Sequence, residues 1–401
     1  MKSIKEIYKI GKGPSSSHTM GPEKAAKIFK SENQDADEFK VILYGSLAST
    51  GEGHGTEIVI QETLSPVPTT IEFNYTEINL EHPNTMDFYA YKNKLLINEA
   101  RVLSVGGGEI KIIGRPELSS PNIYQFNSFT EIANYCKFKN IRISDYVELN
   151  EGPDIWDYLI NVWNVMKNAI KEGLEASGYL PGELKVERKA KFLFNQKHID
   201  ESPSTKENRL VCAYAFAVSE QNADYKTIVT APTCGACGTL PAVLKYMQDK
   251  NGFTDMQIAR ALAVAGIVGN IVKTNASISG AECGCQAEIG TACSMASAAL
   301  GELFEIEIDQ IEYAAEVAME HYLGLTCDPI HGLVQIPCIE RNAVAAMRSI
   351  NALSLANFLA TTRKISFDVV VETMYETGKD MKTQYRETSE GGLAKLYKNI
   401  K

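Results

Sequence analysis

Apolar and polar positions change rhythm once along this chain. Between about Phe39 and Arg115, the segments "FKVILYGSL", "TEIVIQETL", "TTIEFNYTEI" and "DFYAYKNKLLINEARVLSVGGGEIKIIG" are β-branched and aromatic, broken by short polar stretches and glycines. That pattern predicts strands. Helical patterns flank them: "KEIYKI" and "PEKAAKIFK" before, "FTEIANYCKFK" after. From Ile141 onward, segments such as "IWDYLINVWNVMKNAIKEGLEASG", "DMQIARALAVAGIVGNIVK" and "DQIEYAAEVAMEHYLG" carry the helical period, with no strand series among them. The expectation is an α+β domain over residues 1–140, its sheet partly antiparallel, followed by an all-α domain over residues 141–401.

One predicted helix, from Cys285 to Phe304, is rich in Ala, Gly, Ser and Cys and carries charge only at Glu288 and Glu302. A helix apolar all round is buried, and small side chains let neighbours approach its backbone. It is expected at the centre of the helical domain. The polar stretch "PGELKVERKAKFLFNQKHIDESPSTKENR" reads as a surface connection. No internal repeat or low-complexity tract is evident.

Composition narrows the function classes. The 401 residues are 44% hydrophobic and 22% charged, an ordinary globular balance, and the net charge of −10 offers no basic field for nucleic acid or anionic lipid. Small-molecule chemistry is the better expectation. The start "MKSIKEIYKIGKG" has no continuous apolar h-region, and the run "ALAVAGIVG" is too short to span a bilayer, so a cytoplasmic location is expected.

All of the nine cysteines except Cys136 lie after residue 200, and all of those but Cys212 fall in three places: "APTCGACGTLP", "SGAECGCQAEIGTACSMA" and "LTCDPIHGLVQIPCIERN". A chain this long in a reducing compartment does not need a disulfide framework. Glycine or proline beside each thiol favours irregular backbone and hence ligand positions. Cys234 and Cys237 form a single C-x-x-C without a second pair at ribbon distance, which leaves packing and ligation both open. Three thiolates gathered from distant parts of a chain suit an iron–sulfur cluster with one open iron, a Lewis acid able to polarise a hydroxyl.

Taken in order, "GPSSSHTMGP", "GSLASTGEGHGT", "APTCGACG", "NASISGAECGCQAEIG", "GLTCDPIHGLVQIPCIERNA", "VETMYETGKDM" and "YRETSEGGLA" resemble the iron–sulfur L-serine dehydratases across nearly the whole chain. The β-type domain comes first and the α-type domain second. The resemblance implies a [4Fe–4S] cluster held by Cys285, Cys327 and Cys338, no pyridoxal phosphate, and deamination of L-serine to pyruvate and ammonium. It also implies a homodimer with a small-molecule substrate and no nucleic-acid or membrane partner. His54 is assigned as the base that removes the Cα proton, and His18 of the opening loop is named as a second catalytic residue. Ser15, Ser16, Ser17, Thr19, His82, Asn275 and Ser277 are assigned to the substrate. His321 matches a family position yet fits a structural histidine, His198 is expected to face solvent, and His331 receives no role.

Two departures stand out. Related single-chain members often end in a penultimate cysteine that occupies the open iron, whereas this sequence ends "GGLAKLYKNIK". Cys234 and Cys283 are extra thiols, read as neighbours of the cluster; Cys293, Cys136 and Cys212 are read as packing. Competing readings are the same chemistry on L-threonine or L-cysteine, and an iron–sulfur redox sensor, against which the acidic composition argues. A P-loop is excluded because "GKGPSSSHT" places Gly-Lys before its hydroxyls. For the opening loop, Pro22 suits the first turn of a helix with Gly21 as its cap, which would gather hydroxyls and amides at a helix N-terminus.

Overall fold

The computed structural model describes the chain except residues 78–79, 117–120, 198, 360–361 and 399–401. Seven strands are described: β1 (Ile10–Lys12), β2 (Glu38–Tyr44), β3 (Thr69–Asn74), β4 (Thr85–Lys92), β5 (Leu95–Gly106), β6 (Glu109–Ile112) and β7 (Thr227–Val229). Five of them form a mixed sheet in the order β3-β2-β4-β5-β6, with β2 and β3 parallel and the other pairs antiparallel.

The parallel pair explains one departure from the sequence expectation. Parallel neighbours need a crossover, and the crossover between β2 and β3 is helical. "TEIVIQETL", expected as a strand, is the helix Thr56–Leu64, and "GSLAST" forms the short helix Gly45–Thr50. Val59, Ile60 and Leu64 are buried with Phe39, Val41, Leu43 and Phe88 of the sheet, so packing overrides the β-branched propensity. The helix Gly21–Glu32 adds Ala25, Ala26 and Phe29 to the same core.

The expected division into an α+β part and a helical part is present, and the chain's first residues cross it. "KEIYKI", read as helical, is a single 3-10 turn at Ile4–Glu6 that leads into β1. Ile4, Ile7 and Tyr8 are buried in the helical core with Trp163 and Val162, and the Tyr8 hydroxyl donates to the Leu262 carbonyl at 2.7 Å. β1 then pairs antiparallel with β7, the one strand described after Ile141.

The helices Asp255–Asn275 and Thr291–Leu303 form the centre of the second part, and every residue of the latter is buried. Asp255–Asn275 is long and apolar enough to cross a membrane, although its apolar run is short, and it is buried among the other helices. The stretch expected as surface connection contains the helix Ala190–Asn195 and a buried Arg188 paired with Asp224. His198 lies outside the described residues.

Candidate active site

Three chain segments that are remote in sequence deliver thiols to one cavity. Cys285 caps a π-helical turn, Gln286–Gly290, that runs into the central helix Thr291–Leu303. Cys327 sits on extended backbone clamped by the C-terminal segment: its N–H donates to the Tyr385 carbonyl at 2.8 Å, and its carbonyl accepts from Glu387 N–H at 2.9 Å. Cys338 opens the helix Cys338–Leu359 directly after Pro337. All three are buried and line the same cavity. Two of them therefore stand at helix starts, where free N–H groups favour an anionic group.

The donor set fits a metal cofactor. One ligand atom each of Cys285, Cys327 and Glu288 lie within 4.8 Å of one another. A hydrogen bond with Cys285, and then burial, hold the Cys327 thiol well above the ordinary range; burial and the neighbouring Cys285 do the same to Cys338. Thiols gathered this way ionise only against a cation, which a metal supplies. Space is kept by glycine: a Cβ on Gly280 would fall 2.6 Å from a Glu288 carboxylate oxygen and 3.1 Å from the Cys327 Sγ. Arg341 is the nearby cation, donating to the Thr326 carbonyl at 2.7 Å and to Asp328 at 3.0 Å.

The opposite wall comes from the first part of the chain. Ser15, Ser16 and Ser17 line the cavity together with Gly106 and Gly107 at the β5–β6 turn. "SSHTM" is itself a π-helical turn, Ser16–Met20, and it runs into the helix Gly21–Glu32. Ser15, not Gly21, is the capping residue, its hydroxyl accepting from His18 N–H at 3.1 Å. The Ser104 hydroxyl fixes the turn to the sheet by donating to the Ser17 carbonyl at 2.7 Å.

His18 and His54 lie behind the serines, both fully buried. His18 Nδ1 is 3.0 Å from the Ser17 hydroxyl and 3.4 Å from that of Ser15, and its Nε2 is 2.9 Å from the Ser46 hydroxyl. His54 Nδ1 donates to the Thr50 carbonyl at 2.8 Å, which leaves Nε2 as the lone-pair nitrogen, and that atom has no partner among the described residues. Burial pushes His54 down to about 4, and burial followed by the neighbouring His54 pushes His18 well below the usual histidine range. Both imidazoles are therefore neutral at neutral pH.

Other sequence-assigned residues lie elsewhere. Thr19 is a tie, donating to the His54 carbonyl at 2.9 Å. His82 accepts from Asn84 N–H at 3.0 Å, and Asn275 donates to the Asn127 carbonyl at 2.6 Å; neither lines the cavity. Ser277 donates to Glu282, while its neighbours Ile278, Ser279 and Gly280 form the wall. Among the remaining cysteines, Cys234 contacts the Met20 sulfur at 3.9 Å, Cys283 packs against Gly378, Cys293 contacts the Ala345 carbonyl at 3.4 Å and Cys212 the Met347 sulfur at 3.6 Å; Cys136 is in the core. His321 donates to the Val317 carbonyl, and His331 sits 3.6 Å from Glu183.

The structure adds residues that the sequence reading passed over: Glu288, Glu387, Thr233 and the Gly106–Gly107 turn all line the cavity. Glu288 had a visible signal, an acid one helical turn after Cys285 in an otherwise almost uncharged helix. Glu387 had none, since only the fold brings the C-terminal segment beside Cys327.

Residues 49–394 match the family model described as serine dehydratase alpha chain, and residues 3–68 match serine dehydratase beta chain. The chain is 39% identical to L-serine dehydratase 2 of Escherichia coli, with 98% of each protein covered. It is equally close to L-serine dehydratase of Haemophilus influenzae, at 39% over 98% of this chain and 99% of that protein. The Helicobacter pylori L-serine dehydratase is 36% identical over 99% of both.

Proposed function

The chain belongs to the serine dehydratase family, and from that premise we propose that it deaminates L-serine to pyruvate and ammonium in the cavity between the serine turn and the three cysteines. The observation that carries this reading is the convergence of Cys285, Cys327 and Cys338 on a cavity whose other wall is Ser15, Ser16 and Ser17. Held by the three cysteines, a [4Fe–4S] cluster with one iron free of protein thiolate would supply Lewis-acid polarisation of the substrate's β-hydroxyl.

The chain's own residues do the rest. The serine hydroxyls and the N–H groups of the first turn suit the substrate carboxylate. The Glu387 carboxylate, anchored through its own N–H to the Cys327 carbonyl, suits the substrate ammonium. A neutral imidazole takes the Cα proton: His54 offers an unpartnered Nε2, and His18 reaches the cavity through the Ser15 and Ser17 hydroxyls. The Cα electron pair forms the Cα–Cβ double bond as the β-hydroxide leaves, and the resulting aminoacrylate tautomerises and hydrolyses. Burial of both rings keeps bulk water from protonating the base.

The test is L-serine added to anaerobically purified protein with pyruvate as the readout, L-threonine and L-cysteine run in parallel. Turnover with serine that decays in air together with iron loss is expected. A cluster-loaded protein that makes no pyruvate from any of the three would overturn the reading.

A further inference from the structure

Glu288 is a buried acid that forms no ion pair among the described residues. Its Oε1 accepts from the Thr233 hydroxyl at 2.7 Å, and its Oε2 accepts from the Cys285 thiol at 3.9 Å. Among the described residues no salt bridge reaches it; the Arg341 guanidinium, which donates to Thr326 and Asp328, acts on it only through charge. A carboxylate withdrawn from bulk water with only neutral donors, a hydroxyl and a thiol, is costly unless a bound cation completes it. The surrounding backbone makes room for it: a Cβ on Gly235 would lie 3.1 Å from Oε1, and one on Gly280 would lie 2.6 Å from Oε2. The same carboxylate shares a 4.8 Å group with the Cys285 and Cys327 sulfurs. Position along the chain agrees, because three residues along a helical turn bring Glu288 back to the face of Cys285.

We propose that Glu288 is the resident oxygen ligand of the cluster's fourth iron when substrate is absent, and that the substrate displaces it. The inference rests on the iron–sulfur reading above. Its chemistry is self-consistent: the substrate also presents a carboxylate, so the side chain is an internal mimic of the group that replaces it. Thr233 holds the free oxygen and gives the displaced side chain a place to stay. Glu387 also lines the cavity, but only Glu288 of the two acids is grouped with the Cys285 and Cys327 sulfurs.

The experiment is Mössbauer spectroscopy of the full chain loaded with 57Fe, comparing wild type with Glu288→Gln, Glu288→Asp and Thr233→Val, each with and without L-serine. One of the four irons in the wild type should carry an oxygen-ligated signature that shifts on adding serine. Glu288→Gln should move that iron alone before serine is added, and should convert to the three-iron form in air several-fold faster by EPR. Should Glu288→Gln fail to load, Glu288→Asp and Thr233→Val must still perturb the same iron. A loaded cluster whose four irons and oxidation rate are the same in wild type and all variants overturns the proposal, as does a change confined to the KM for serine. A wild type that binds no cluster overturns the iron–sulfur reading instead.

Discussion

His18 and His54 stack with ring centroids 4.6 Å apart, on two turns that exchange backbone contacts: the Thr19 hydroxyl donates to the His54 carbonyl and the Thr56 hydroxyl to the His18 carbonyl. The opening turn and "GEGHGT" are thereby tied to each other. Gly55 is part of the reason, for its φ of 62° turns the chain into the helix Thr56–Leu64 where a Cβ would meet the Tyr225 ring at 2.6 Å.

Replacing His54 by Gln should lower kcat by about 100- to 10,000-fold, the range for losing a positioned base, while iron content stays at the wild-type level. Steady-state kinetics beside an iron assay checks this. Loss of iron in step with activity would show that His54 supports the fold of the site instead of the proton transfer.

The two histidines also set an acid limit on stability. A folded-state value below the unfolded one means that the unfolded chain binds more protons, so this stability is complete above about pH 6.5 and is lost as pH falls through the folded value. For His54, held at about 4, the effect amounts to about 3 kcal/mol. Denaturant melts of wild type and His54→Gln between pH 7 and pH 4 should converge as the pH drops; curves that stay parallel would contradict it.

The cysteines should separate into two classes. Cys285→Ser, Cys327→Ser and Cys338→Ser should each lose iron and at least about 100-fold in activity, more than the 10- to 100-fold typical of an outer partner. Cys283→Ser and Cys293→Ala should keep the iron. Metal analysis of the five variants decides, and an iron-free Cys293→Ala would place the centre wrongly.

Gly280→Ala should fill the cavity rather than the core. The added methyl meets the Glu288 carboxylate and the Cys327 Sγ, so iron uptake should fall sharply while the melting temperature moves by only a few degrees. A large loss of stability with normal iron uptake would refute the role given to this glycine.

Much of the fold was legible in the pattern of side chains. The buried helix after Cys285 was evident because an uncharged run of small residues has no solvent-facing side. The helix Thr56–Leu64 was not, because a short β-branched run fits strand and helix alike until the parallel pairing of β2 with β3 demands a crossover. In the opening loop, helical turn geometry starting at Ser15 replaced the expected cap at Gly21, since the Ser15 hydroxyl can satisfy the His18 N–H and glycine has no side chain to do so.

By itself the sequence determined which residue types are candidates for the chemistry: the cysteines beside glycine or proline, the hydroxyl-rich turn and the histidines. Motifs are local, and side-chain chemistry is written in them directly. Tertiary structure alone decided which of these meet. It brought Ser15 to Ser17 opposite Cys285, Cys327 and Cys338, added Glu288 and Glu387, and turned His82 and Asn275 elsewhere. Such meetings depend on strand pairing and helix packing between segments hundreds of residues apart, and no local pattern encodes those distances.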